Sequence, residues 1–262
     1  MKLYRVAALL WRYFYLVKRE LGKLTEIFYW PAMDVVIWGF VSVYLNQTTS
    51  GFPFFASLFL SGMILWSIFN NTSKSISVSL LDDIWSRNLP NLFASPLRPS
   101  EFLAATLFLG LIKIVATLLT ASFVAMLFYS FNLFTLGISL WAFFSNLVIF
   151  GWSIGIITSA LILRYGTKVE DFAWSMPWLF TPLAAVWYPV SILPDTVKEI
   201  AFIFPVSHVF EGMRGAILHK TFLWNEFVWA LGLNLVYIVI AVVFFYRMYI
   251  VVKEKGLLTR QS

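Results

Sequence analysis

From Leu136 to Leu163 the chain runs without a single charge, and from Phe102 to Phe128 it carries only Lys113. Apolar runs this long leave few folds open. A helix rising 1.5 Å per residue needs about 20 apolar residues to cross the hydrocarbon of a bilayer. There, every backbone N–H and C=O must be satisfied inside the chain, which a helix does turn by turn. Four further stretches, about 27–45, 54–71, 172–192 and 224–250, read the same way. The expectation is an all-α integral membrane protein of six transmembrane helices, one domain over residues 1–262.

Composition agrees. Apolar residues make up 60% of the chain and charged ones 12%, whereas soluble domains average about 45–50% and 25%. Twelve Trp and eleven Tyr suit the two interfaces of a membrane, where amphipathic rings gather. The net charge of +6 lies beside the apolar runs, so it points to lipid head groups and not to nucleic acid. With no cysteine, disulfides, thiolate metal sites and cysteine nucleophiles are excluded. Residues 1–26 are too charged for a cleavable leader.

Residues 1–24 read as an amphipathic interfacial helix. Leu3, Ala7, Leu10, Phe14, Val17 and Leu21 recur at helical spacing, with Lys2, Arg5, Arg12, Arg19 and Lys23 on roughly the opposite face. A helix packed on the protein's own flank fits the same pattern.

Between the second and third runs lies a charged, turn-rich segment, residues 73–101. Ser79 to Asp82 has capping-box spacing, which predicts a short helix to about Asn88 with Leu81, Ile84 and Trp85 on one side. Pro90, Pro96 and Pro99 stop any long helix. Ser100 reads as the N-cap of the third span, with Glu101 in its first turn. The fifth run holds Pro177, Pro182 and Pro189 and must be kinked or broken. Residues 194–220 divide at Pro205 into pieces too short to cross singly, and read as an outer re-entrant helical hairpin or a pair of helices at the membrane face.

Fifteen of the nineteen Lys and Arg fall on one side if the N-terminus starts inside. That positive-inside bias places both termini and residues 73–101 in the cytoplasm, the arrangement of a multi-pass protein of the cytoplasmic (inner) membrane. Asp34 and Lys113 lie within spans, where an ionisable side chain marks a functional candidate; Asp34 also fits a capping role near the end of its span, and the two are conceivable partners.

Gly151-Trp152-Ser153-Ile154-Gly155 matches the serine-hydrolase elbow, but lacks the strand before and helix after it. The same residues match G-x-x-x-G, where Gly151 and Gly155 let a second helix approach. His208 and His219 lack metal-ligand spacing. Asp82-Asp83 opens no acidic metal motif and suits a helix N-terminus better. No metal site and no catalytic set is predicted. No G-x-x-x-x-G-K-[ST] loop occurs, so ATP bound by that route needs another chain.

Asn91-Leu92-Phe93-Ala94-Ser95-Pro96-Leu97-Arg98-Pro99-Ser100-Glu101-Phe102 resembles the L-x-x-S/T-P-L-x-x-x-E stretch of ABC type-2 exporter permeases. Tyr188 to Pro194 followed by Phe204 to Arg214 resembles that family's P-x-S-x-L-P and P-x-x-H/Y-x-x-E-x-x-R segment between spans five and six. Where the family often has a Gly-Thr-x-Glu run, this chain has Arg87-Asn88-Leu89-Pro90-Asn91. The resemblance implies a transport subunit, not an enzyme. It would pair with a second permease copy as a homodimer and dock two separate ABC ATP-binding subunits, which carry the ATP and Mg; this chain itself would hold no cofactor. It further implies that a coupling helix meets the ATPase through Asp82, Asp83, Ile84, Trp85, Arg87, Leu92, Phe93 and Ser95. An outer gate would involve Pro194, Pro205, His208, Glu211 and Arg214. Drugs, lipids and lipid-linked glycans or polysaccharides are the implied substrates. Two other readings stand beside it: an intramembrane serine hydrolase using Ser153 with His208 or His219, and an ion-coupled secondary transporter using Asp34 and Lys113.

Overall fold

A computed structural model describes residues 2–48 and 55–256. Residues 49–53 of the predicted first outer loop, Phe54 at the start of the second span and Arg260 of the basic tail lie outside the described residues. The fold is all-helical, 87% helix, with no strand among the described residues. Among the described residues, four helices are long and apolar enough to cross a membrane: Leu21–Leu45, Pro99–Tyr129, Ile138–Val169 and Trp224–Glu254.

The chain opens with α1 (Leu3–Arg19) and α2 (Leu21–Leu24), then a π-helical turn (Thr25–Tyr29) leading into α3 (Trp30–Thr48). A π turn leaves a carbonyl out of the regular ladder; that of Ile27 accepts the Thr117 hydroxyl at 3.4 Å. Helices α4 (Phe55–Trp85), α5 (Leu89–Ala94), α6 (Pro99–Tyr129) and α7 (Ile138–Tyr165) follow. The chain then breaks into α8 (Phe172–Ser175), a 3-10 turn (Met176–Phe180), α9 (Thr181–Ala184) and α10 (Asp195–Ala201), before α11 (Pro205–His219) and α12 (Trp224–Glu254).

Helix α4 differs from expectation. The second run and the predicted short helix near 79–88 form one continuous rod, because no Gly or Pro falls between Gly62 and Pro90. Several of its hydroxyls bond back along the helix: Thr72 Oγ1 donates to Ile68 O at 2.6 Å and Ser79 Oγ to Ser75 O at 2.7 Å. Ser79 is therefore a mid-helix residue and caps nothing. Helix α6 also begins two residues earlier than expected, at Pro99, whose missing N–H is no loss at a helix start. Arg98, not Ser100, is its N-cap.

Helix α7 is the central element. In its apolar window 78% of residues are buried, against 17% for α12. It packs on α4 through Gly151 and Gly155. A Cβ at Gly151 would fall 2.6 Å from Thr72 Cβ, and one at Gly155 would fall 2.6 Å from Ser73 O. Ser77 Oγ donates to Gly155 O at 3.3 Å, a contact that only close backbones permit. Beside this seam Phe69 and Phe150 stack at 5.4 Å, with Phe180 edge-on to both. Asn234 of α12 donates to Asn146 Oδ1 of α7 at 2.8 Å, in a fully buried site. Gly155→Ala is expected to cost about 1–3 kcal/mol, the range for overpacking against atoms that cannot move aside. Thermal unfolding of the solubilised protein checks it; an unchanged midpoint would mean that the helices do not touch at this seam.

The broken segment follows from its prolines. Each lacks a backbone donor, and Ala185 turns the chain at φ 52. The carbonyls so freed are covered from α11. Arg214 Nη2 donates to Ala185 O at 2.7 Å and to Tyr188 O at 2.8 Å. Glu211 Oε1 accepts from Val190 N–H at 2.6 Å and from Arg214 Nη1 at 2.7 Å. The Ser207 hydroxyl reaches Leu183 O and Ala201 O at 2.8 and 2.7 Å.

Candidate functional site

One end of the bundle gathers α1, the ends of α4 and α6, and the short helix α5. Consecutive residues on a helix point about 100° apart, so Asp82 and Asp83 serve different neighbours. Asp83 is fully buried and faces α1. Its carboxylate accepts from Arg12 Nη2 at 2.5 Å, from the Tyr13 hydroxyl at 2.5 Å and from Asn88 Nδ2 at 3.2 Å. Asp82 pairs with Lys23 Nζ at 2.8 Å, which also meets Glu20 at 3.0 Å. Helix α4 ends where Arg87 takes the left-handed conformation, φ 54, which lets Asn88 N–H reach back to Asp83 O at 2.9 Å.

Burial lowers the proton affinity of the Arg12 guanidinium, but hydrogen bonding and charge pairing with Asp83 outweigh it and raise its pKa. Burial first, then the Asp83 charge, lifts the Tyr13 phenol well above its ordinary value. Tyr13 therefore stays a donor; its contribution is full below the ordinary tyrosine pKa and is lost as pH rises through the elevated one.

Glu101 closes the other side of this corner. Fully buried, it accepts from the Lys2 N–H at 2.7 Å and from the Arg98 N–H at 3.0 Å. One carboxylate thus caps the starts of both α1 and α6, where unsatisfied N–H groups favour negative charge. Arg5 lies 3.5 Å from the same carboxylate and donates to Pro96 O.

The basic face of α1 therefore meets acids of the chain itself, not lipid alone. Val6, Leu9 and Tyr13 form its buried seam, while Leu3, Trp11 and Phe14 stay exposed on the apolar face. Of the residues assigned to docking, Asp83, Ile84 and Leu92 point inward, Asp82 is half-buried against Lys23, and Trp85, Arg87 and Ser95 are exposed. The Phe93 side chain lies outside the described residues. The Trp85 indole stacks on Trp174 at 6.2 Å and donates to Glu170 Oε2 at 3.1 Å. Arg12, Tyr13, Trp174 and Glu170 were not identified as members of this corner from sequence. Their signals, an Arg-Tyr pair on an amphipathic face and a Trp after a charged loop, have meaning only once the helices are placed.

A cavity of about 600 Å³ opens between α3, α4 and the broken segment. Trp30, Trp38, Trp66, Trp178 and Trp187 line it, with Glu26, Asp34 and Lys74. A second cavity, of about 580 Å³ and mostly apolar, adjoins it across Phe59 and Trp187. Lys113 lines a third space, of about 30 Å³, with Glu26 and Lys74. Asp34 shares the first cavity with Lys74, and Lys113 shares the third space with Glu26. The structure does not bring Asp34 and Lys113 together.

Among the remaining candidates, the buried Ser153 donates its hydroxyl to Ile149 O at 3.0 Å, within its own helix. His208 donates Nε2–H to Phe202 O at 3.0 Å and pairs through Nδ1 with Glu226 at 2.7 Å, stacked on Trp229. His219 ends α11, Pro205 begins it, and Pro194 precedes α10. No group of three or more His, Cys, Asp or Glu converges as metal ligands among the described residues. No protein-family model matches the chain, and a search of curated proteins returns no match.

Proposed function

We propose that this chain is the transmembrane permease subunit of an ATP-driven ABC exporter. It moves an amphipathic substrate out across the cytoplasmic membrane, with ATP hydrolysed on a separate subunit. Two copies of the chain pair and dock two ATP-binding subunits. In this arrangement α4 and the proline-broken segment complete six crossings, α10 and α11 form the outer hairpin, and both termini lie in the cytoplasm.

The observation that carries this reading is the corner at the end of α4. Its exposed groups, Trp85 and Arg87, stand on a base fixed by buried ties from Asp83 and Glu101 to α1 and α6. A partner pressing on that base moves three long helices together, and different contacts in two partner states would bias their packing. The carboxylates at Asp82 and Asp83 act inside this reading as braces, leaving contact to Trp85, Arg87 and Ser95.

Purification of the tagged chain from its native membrane tests this. An ATP-hydrolysing subunit is expected to co-purify. Trp85→Glu combined with Arg87→Glu is expected to weaken the association at least about tenfold, since buried aromatic and Arg anchors dominate interfaces. An ATPase retained equally by the substituted chain would refute the assignment of that surface.

A further inference from the structure

The Asp34 carboxylate and the Lys74 ammonium line the same tryptophan-walled cavity, and among the described residues neither forms a hydrogen bond or an ion pair. Charges held in a low-dielectric setting without a partner are costly, and inside a membrane they mark a site. Lys74 is drawn first toward Glu26 and then toward Asp34, with a bond to neither. Glu26, from the π turn, lines both this cavity and the small one with Lys113. The wall of this cavity therefore presents both signs, two carboxylates (Glu26 and Asp34) and one ammonium (Lys74), and Lys113 lies beyond it in the small space shared with Glu26 and Lys74.

That balance discriminates among ligands. A simple organic cation would suit the indoles, which attract positive charge over their faces, and would suit Asp34, but would meet Lys74. An anion would meet Asp34 and Glu26. A neutral head group would leave both charges unpaired. A head group with separated positive and negative charges answers each wall in turn. The adjoining apolar cavity, bordered by Leu58, Leu65, Ile192, Phe210 and Met213, takes hydrocarbon. Its one charged lining residue among the described residues, Arg214, is already committed to backbone carbonyls.

We propose that the two cavities together bind a zwitterionic amphiphile: its cationic nitrogen rests among the indoles against Asp34, its anionic group lies against Lys74, and its hydrocarbon fills the apolar cavity. As a statement about what is transported, this rests on the permease reading above. As a statement about binding, it is tested on the chain alone, so its failure and the loss of ATPase association are read separately.

The experiment uses the full chain in uncharged maltoside micelles with radiolabelled lysophosphatidylcholine as probe. Competitors are the cationic dodecyltrimethylammonium, the anionic lysophosphatidic acid, the neutral monolaurin, and glycerophosphocholine, which has the head group without the tail. Unlabelled lysophosphatidylcholine is expected to compete at least about tenfold better than each, the difference made by one well-satisfied charge contact. Asp34→Asn is expected to abolish the preference over the anionic competitor, and Lys74→Gln the preference over the cationic one. A merely structural role for either residue would not move preference in opposite directions. Equal competition by all five compounds, or no binding of lysophosphatidylcholine, overturns the proposal. Glycerophosphocholine competing as well as the full amphiphile overturns the role of the apolar cavity. The head-group series on the unsubstituted chain decides the matter even where a variant fails to fold.

Discussion

Asp83→Ala is expected to release α1 from the bundle and to lower stability by about 3 kcal/mol, at the lower end of the range for breaking a buried ion pair because Arg12 is partly exposed. The substitution strips the acceptor from three donors at once: Arg12 Nη2, the Tyr13 hydroxyl and Asn88 Nδ2. Tyr13 is almost wholly buried, so its hydroxyl would have no water to turn to, and an unsatisfied buried donor is expensive. Asp83→Asn retains an acceptor oxygen and loses only the charge, so it should cost less. Arg12→Leu should fall between them, because the carboxylate keeps Tyr13 and Asn88. A double-mutant cycle over Arg12 and Asp83 isolates the pair. Two measurements read the result: thermal unfolding of the solubilised chain, and trypsin cleavage at Arg12, Lys18 and Arg19, which should speed up once α1 lifts away. Should Asp83→Ala melt at the normal temperature and cleave at the normal rate, α1 is not held by this carboxylate.

The same corner shows what a sequence can and cannot reveal. The long spans were legible because apolar length is a local property: α6 and α7 lie where the apolar runs lie. The break in the fifth run was legible because three prolines act on their own backbone. Glu101 was legible as a residue of the first turn of α6, but its bond to the Lys2 N–H, from the far end of the chain, was not. The length of α4 was misjudged because Ser79 read as a cap, whereas within the helix the Ser77 and Ser79 hydroxyls bond to carbonyls of the preceding turn. The basic face of α1 was assigned to lipid because charge pattern alone cannot tell a phosphate from a carboxylate. Asp83 and Glu101, some 70 to 100 positions away, meet Arg12 and Arg5 of that face. The tryptophan-lined cavity was hidden for a related reason: its indoles come from α3, α4 and the broken segment, and each alone looks like an interface residue.

Arg214→Leu should be the more disruptive of the changes at the opposite end, at about 3 kcal/mol, the lower end of the range for removing one partner from a buried pair, because both side chains are partly exposed. The guanidinium does three tasks: it satisfies Ala185 O and Tyr188 O, and it neutralises Glu211, which itself holds the Val190 N–H. Without it two carbonyls of the broken segment lose their donor, and an unsatisfied buried polar group is costly. Arg214→Lys separates charge from geometry. An ammonium keeps the attraction to Glu211 but lacks the planar fork that reaches separate acceptors at once, so most of the loss should remain. Glu211→Gln should be milder, since the amide oxygen still accepts from Val190. Thermal unfolding ranks the three, and the expected order is Leu worst, Lys next, Gln least. If Lys restores full stability, a positive charge alone is what the break requires. If Leu proves harmless, the segment between Ala185 and Val190 satisfies its own backbone, and the proline break is not fastened from α11.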